Sequence, residues 1–388
     1  MQHWRHLSQL LLLLLAISAV LVMLVMQAQL QATSHYDGPG QLVADQSIDG
    51  SSCSPRQHIM FLKTHKCASS SLQNMFLRYG IHHHLSMAVP YDGNYIGSPQ
   101  HFEVSFFPAQ YMPEDGAIDI FAVHTRLNEN EHRKIMHADA SFVTVVREPG
   151  HLFESMYTFY YLKDSYDGHN LKAYLELPLQ LEKLYRKNRP KIGYDMMLFD
   201  MGVNITVNMT TDVVRKAVQQ MDRLFDIVLV AEEMDQSLIL LKEHLCWDYS
   251  DIIFFNKNVR MKYYRPKISN ETLAKIRELN SGDVMLYEHF LAKHKMAVQK
   301  YGINKMADDV EQLRRLRDAV FKNCGARVML GGNNNVLFEE YSDIVETFAL
   351  KNESNIDCVM LSMPELQLIA KVRSIIKHKL KKKKTLAI

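Results

Sequence analysis

A chain of 388 residues, 47% hydrophobic and 23% charged, has a globular composition, which excludes a disordered or fibrous chain. A formal net charge of +2 excludes a nucleic-acid binder that uses its whole surface, because the basic excess is local, gathered between Lys377 and Lys384.

Leu10 to Met26 is an uninterrupted apolar run preceded by His3, Arg5 and His6. Spanning a bilayer takes roughly 20 apolar residues, with about 17 at the lower end. The length favours an uncleaved signal anchor over a cleaved signal peptide, for which Ala28 and Ala32 could supply the small residues. Residues 1–9 are then expected as a cytoplasmic tail, 10–27 as the anchor, 28–56 as a lumenal stem of small polar residues, and 57–388 as the folded domain. Four Asn-X-Ser/Thr sequons, at Asn204, Asn208, Asn270 and Asn352, agree with entry into the secretory pathway.

Beyond the stem, short apolar runs alternate with amphipathic stretches. His58–Leu62 reads as a buried strand, and Ser69–Tyr79 as a helix with Leu72, Met75, Phe76 and Tyr79 on one face. Ile118–Val123, Ser141–Val146 and Asp226–Ala231 read as further strands, with helices over Leu152–Leu162 and Asp235–Leu245. Helical pattern then runs from Asn270 to about Lys300 and from Asp308 to Lys322, and the lysine-rich tail reads as solvated or frayed. Alternating strands and helices predict an α/β fold with a central parallel sheet flanked by helices and a helical C-terminal extension. Ligands of such sheets bind beyond the carboxyl ends of the strands.

The first strand runs directly into Lys63-Thr64-His65-Lys66-Cys67-Ala68-Ser69-Ser70-Ser71 and then a helix. Free backbone N–H groups at a helix start, hydroxyl donors and two lysines suit a phosphate or sulfate ester. The loop contains no glycine, which excludes the G-x-x-x-x-G-K-[ST] pattern of P-loop NTPases. From residue chemistry alone, a well-capped surface helix remains an equal reading. Among five cysteines (Cys53, Cys67, Cys246, Cys324 and Cys358) none forms a C-x-x-C pair, and no metal is expected. The odd count implies at least one free thiol or an intermolecular bridge. Cys67, inside the loop, is the candidate, leaving the other four for two disulfides of open connectivity.

Phe61-Leu-Lys-Thr-His-Lys-Cys-Ala-Ser-Ser-Ser-Leu72 closely resembles the 5′-phosphosulfate loop of the galactose 3-O-sulfotransferases. Its core, Lys66-x-Ala68-Ser69-Ser70-Ser71, is also similar to the loop of the uronyl and heparan sulfate 2-O-sulfotransferases. One departure is Cys67, where the family has threonine, so a hydroxyl donor becomes a weak thiol donor. Val145-Val-Arg147-Glu-Pro149-Gly-His-Leu-Phe-Glu-Ser155 carries the second resemblance. It implies that Arg147 and Ser155 hold the 3′-phosphate of PAPS, the sulfate donor. Without the resemblance, Arg147 reads more readily as an ion-pair partner of Glu148 or Glu154. Weaker likeness extends through Phe225–Asn256 and Asp283–Tyr287.

The resemblance implies a P-loop-like sulfotransferase fold, with residues 63–71 on the donor and Lys66, seconded by Lys63, stabilising the departing phosphate. His124, following a strand, matches the histidine proposed as base in the 2-O-sulfotransferases. His65 is the alternative, and Arg126 is a candidate for orienting the acceptor. Tyr91, Tyr95, Phe102, Phe106 and Phe107 could stack on a sugar or pack under a loop. The implied acceptor is a galactose-terminated glycolipid or glycoprotein, sulfated at the 3-hydroxyl by an enzyme of the Golgi membrane, with a homodimer as a possible assembly. A 2-O-sulfotransferase acting on glycosaminoglycan and a catalytically impaired glycan-binding relative are the alternatives.

Overall fold

Ile59-Met-Phe-Leu62 forms strand β1, fully buried along its length, as expected of a central parallel strand covered on both faces. A computed structural model describes residues 53–162, 171, 192–206, 209–257, 259–261, 263, 265, 268–330, 337–338 and 344–386. The chain falls into two units, Met1–Cys53 and Ser54–Ile388. Apart from Cys53 the first unit, with the expected tail, anchor and most of the stem, lies outside the described residues, as does Asn208. No helix among the described residues is long and apolar enough to cross a membrane.

In chain order the second unit begins with β1 (Ile59–Leu62), α1 (Ser69–His82), β2 (Met87–Ala88), β3 (Ile120–Phe121) and α2 (Glu129–Arg133). It continues with β4 (Ser141–Val146), α3 (Pro149–Phe159), α4 (Met196–Asp200), α5 (Thr211–Leu224), β5 (Ile227–Val230), α6 (Met234–Leu245) and α7 (Tyr249–Ile252). The last elements are α8 (Asn270–Leu279), α9 (Ser281–Tyr301), α10 (Ile303–Asn323), β6 (Arg327–Leu330), β7 (Glu346–Ala349), α11 (Ile356–Ser362) and α12 (Glu365–Leu386). Five strands form a parallel sheet in the order β2-β3-β1-β4-β5. Ile59 pairs with both Ile120 and Ser141, and Val143 pairs with Ile227. All carboxyl ends therefore share one edge, and Lys63, His124 and Arg147 lie just past β1, β3 and β4 on it.

Several boundaries moved for local reasons. Strand β3 is shorter than the apolar run Ile118–Val123, whose ends make only single bridges, Ile118 to Met136 and His124 to Tyr95. Helix α3 starts at Pro149 rather than Leu152, since proline is pre-set for the first helical position and Glu148 caps the N–H of His151 at 2.9 Å. The expected helix from Asn270 to Lys300 is two helices, broken at Asn280, whose amide donates to Ile276 O (2.8 Å) and accepts from Asp195 N (2.9 Å). The antiparallel pair β6–β7, with Val328 opposite Phe348, had no expectation, and neither did the two-residue β2. The lysine-rich tail is not frayed: it continues α12, with Lys377, Lys379, Lys381 and Lys382 exposed.

Helix α1 is buried nearly all round rather than on one face. Gln73 reaches Ala122 O at 2.7 Å, and Asn74 donates to Met360 O (2.9 Å) and Met363 O (3.2 Å). These bonds satisfy buried polar groups and clamp the C-terminal segment onto the helix that opens the loop. A Cys324–Cys358 disulfide ties α11 to the end of α10. Cys53 and Cys246 are also disulfide-bonded, and Cys67 is free and buried. Burial pushes the Cys67 thiol far above its ordinary pKa, so little reactive thiolate forms. Native protein is therefore expected to resist iodoacetamide at neutral pH and to take up one label only after unfolding without reduction. Mass mapping checks this, and native labelling of Cys67 would contradict it.

Candidate active site

Between β1 and α1 the backbone takes left-handed conformations at Lys66 (φ 56°) and Ala68 (φ 59°), which glycine usually adopts and this loop adopts without one. Alternating handedness curls successive N–H groups inward, and Ala68, the α1 N-cap, offers no side-chain cap bond that would occupy them. Interior bonds hold the curl: Thr64 Oγ1 donates to Val145 O (2.7 Å) and Ser69 Oγ to Thr64 O (2.5 Å). Ser71 Oγ accepts from Lys257 N (2.8 Å), and the Cys67 thiol faces His65 O (3.3 Å).

A cleft of about 810 Å³ opens over this loop. Of the expected donor-binding residues, Lys63, His65, Lys66, Ala68, Ser69, Ser70, Arg147 and Ser155 line it. Thr64, Cys67 and Ser71 do not; their side chains are buried beneath the loop and fix its shape. The departure at Cys67 is therefore a packing change and leaves the cleft wall unaltered.

Arg147 Nη1 donates to Lys66 O at 2.6 Å, joining the two motifs. The carboxylates that could have neutralised Arg147 are committed elsewhere: Glu154 to Arg260 through both oxygens, and Glu148 to Arg277 at 2.7 Å. Lys66 Nζ lies 3.4 Å from the centroid of the Phe159 ring. Burial first, then repulsion from Arg147, Lys63 and Arg260, pushes the Lys66 ammonium down to about 7, eased by Glu365. Cations crowded at a helix start fit a polyanionic ligand such as a phosphosulfate.

Both histidines singled out in the sequence enter the cleft, stacked with ring centroids 4.4 Å apart. His124 Nε2 lies 2.9 Å from Lys63 Nζ. The ammonium can only donate, so Nε2 is the unprotonated, accepting nitrogen. His65 Nδ1 meets Asp200 at 2.9 Å while Asp200 accepts from His65 N at 2.7 Å, and His65 Nε2 meets Tyr95 OH at 2.8 Å. Asp200 is placed by α4, whose first N–H groups, Met197 and Leu198, donate to Asp283 at 2.9 Å each. Beside Asp283, a Cβ on Gly282 would meet Leu198 Cδ1 at 2.8 Å, so a larger residue there would have to push that side chain aside. The Asp283–Tyr287 segment thus acts on the cleft from beneath, through α4.

Tyr95 stacks on His124 at 4.7 Å, whereas Phe102 and Phe107 are buried and Tyr91 is 68% exposed outside the cleft. Arg126 is also outside it: the guanidinium donates to the carbonyls of Pro99, Phe199 and Val203 and to Asn204 Oδ1, stitching loops together. Orientation of an acceptor by Arg126 is replaced by a structural role.

Sequence reasoning missed Glu365, the first residue of α12. Its carboxylate meets Lys63 Nζ (3.1 Å) and accepts from Ser70 Oγ (3.0 Å) and Asn94 Nδ2 (2.8 Å). Just over 300 residues separate it from Lys63, and no local pattern marks it. At the opposite, amino-terminal end of the sheet, His58, Asp119 and His137 bring three potential metal ligands together. The two rings stack 3.9 Å apart at 15°, and both Nε2 atoms meet Asp119 Oδ1, at 3.4 and 3.1 Å.

A family model described as galactose-3-O-sulfotransferase matches residues 2–334. Galactosylceramide sulfotransferase of Mus musculus is 32% identical over 297 residues, covering 74% of this chain and 69% of its own length. The Homo sapiens protein of that name is 32% identical over 281 residues, covering 70% and 65% respectively. Galactose-3-O-sulfotransferase 2 of Mus musculus is 28% identical over 351 residues, covering 83% and 86%. With both phosphate motifs meeting at one cleft, the chain belongs to the galactose-3-O-sulfotransferase family.

Proposed function

We propose that the protein transfers sulfate from PAPS to the 3-hydroxyl of a terminal β-galactose on a glycolipid or glycoprotein. The observation that carries this reading is the meeting of Lys63, Lys66 and Arg147 around the start of α1, at the carboxyl ends of β1 and β4. PAPS supplies an activated sulfuryl group and a phosphate leaving group. Lys66, Ser70 and the loop N–H groups bind its 5′-phosphosulfate, and Arg147 with Ser155 its 3′-phosphate. Buried cations that are already in place stabilise negative charge on the leaving oxygen without reorganising. His124 Nε2 takes the proton of the acceptor hydroxyl.

The Cys324–Cys358 disulfide, the exposed sequon residues Asn204, Asn270 and Asn352 and the apolar run Leu10–Met26 support a lumenal catalytic domain on a type II Golgi anchor. Incubating the lumenal domain with labelled PAPS, β-galactosides and glycosaminoglycans tests the reading. Label is expected on β-galactosides at O3. Transfer to glycosaminoglycan alone would replace the acceptor assignment, and no transfer with no retention on a PAP column would overturn the enzyme reading.

A further inference from the structure

Glu365 lies beyond the family match, which ends at residue 334, yet it lines the cleft. Its placement is built in. Asn74 of α1 holds Met360 O and Met363 O, fixing the backbone just before α12, and the Cys324–Cys358 bridge anchors α11. Further along α12, Arg373 donates to Pro90 O and Gly93 O (3.1 Å each), fixing the loop that carries Asn94 and Tyr95. At the first position of α12 the carboxylate also sits at the positive end of a helix dipole.

We propose that Glu365 is a positioning residue that acts through Lys63 and His124. Its Oε2 holds the Lys63 ammonium, which in turn donates to His124 Nε2 and fixes the imidazole as the Nδ1-protonated tautomer. Its Oε1, oriented by Asn94, lies 4.0 Å from His124 Nε2. When the acceptor oxygen bonds to sulfur, the sulfur–phosphate oxygen bond breaks with its electron pair on the phosphate, the Lys63 ammonium turns from Nε2 towards that phosphate oxygen, and the hydroxyl proton passes to the Nε2 lone pair so freed. The imidazolium so formed then faces a carboxylate at close range. Lys63 alone would oppose that charge; Glu365 offsets it. The other groups facing His124 are His65 and Tyr95, stacked on its ring, with Asp200 behind His65 and Lys66 further along the loop.

Glu365→Gln keeps the shape and an acceptor oxygen but removes the charge. NMR titration of His124 in the ligand-free protein should show its midpoint falling by at least about one unit, because a carboxylate near 4 Å stabilises the imidazolium. The acid limb of kcat/KM should move to lower pH, and kcat should drop by about tenfold or more, as expected for a weakened base. PAP affinity by calorimetry should hold or rise, since a negative charge has left an anion site. A His124 midpoint unchanged in a variant that melts like the parent would overturn the proposal. So would loss of PAP affinity by the same factor as activity, which would make Glu365 part of the donor's binding shell. The inference rests on His124 as the base: if His124→Ala keeps turnover, that reading fails, while the titration still reports on Glu365 independently.

Discussion

Replacing His124 with alanine is expected to lower kcat by about 10²–10⁴-fold, the usual contribution of a positioned general base, while PAP affinity is retained. The geometry makes this more than a motif match. His124 Nε2 accepts from Lys63, so the nitrogen facing the cleft carries a lone pair, and stacking on His65 and Tyr95 fixes the ring plane. Added imidazole should restore part of the lost rate in the alanine variant. Single-turnover assays with the PAP-binding check separate this outcome from misfolding. Turnover within about tenfold of the parent, well short of the range for such a base, would move the assignment to His65, whose contact with Asp200 resembles the orienting carboxylate of hydrolytic triads.

Lys66→Met is expected to cost about 10²–10³-fold in kcat/KM, as for loss of one preorganised group facing developing charge. A second signature follows from its acidity. Burial and three neighbouring cations bring the folded-state value down to about 7, against an ordinary 10.5. Between those values the unfolded chain binds more protons than the native protein, so this group makes stability rise with pH from about 7 towards 10.5. A bound polyanion reverses the repulsion and raises the value. PAP binding at pH 8 should therefore take up protons, seen in calorimetry across buffers of different ionisation enthalpy, and affinity should fall as pH rises above 7. Lys66→Met should bind PAP more weakly and without that uptake. Equal proton uptake in parent and variant would assign the linkage elsewhere.

Much of the donor side was legible because it is local in sequence. His58–Leu62 and Ser141–Val146 are apolar runs whose ends had to meet at one edge once the strands lay parallel, and that edge gathers Lys63, Arg147 and their loops. Legibility failed where a residue's partner is distant. Thr64, Cys67 and Ser71 look like ligand contacts as a string, but the left-handed turns at Lys66 and Ala68 face them into the interior. Arg126 looked like an acceptor contact from its place beside His124; the carbonyls it serves, Pro99, Phe199 and Val203, come together only in the fold. The helix expected through Asn280 broke because its side chain bonds Asp195, far away in the chain.

The sequence by itself determined the α/β class and, through resemblance, the family; it offered an anion cradle at the start of α1 as one of two readings and PAPS as the donor that the family implies. These depend on strand periodicity and on runs of about a dozen residues, where neighbours in the chain are neighbours in space. Only the tertiary structure decided what surrounds His124 in the cleft: Lys63 at its Nε2, His65 held by Asp200, and Glu365 delivered by α12. Those contacts are made by side chains tens to hundreds of residues apart, and no periodicity encodes which of many acidic residues a buried lysine will meet.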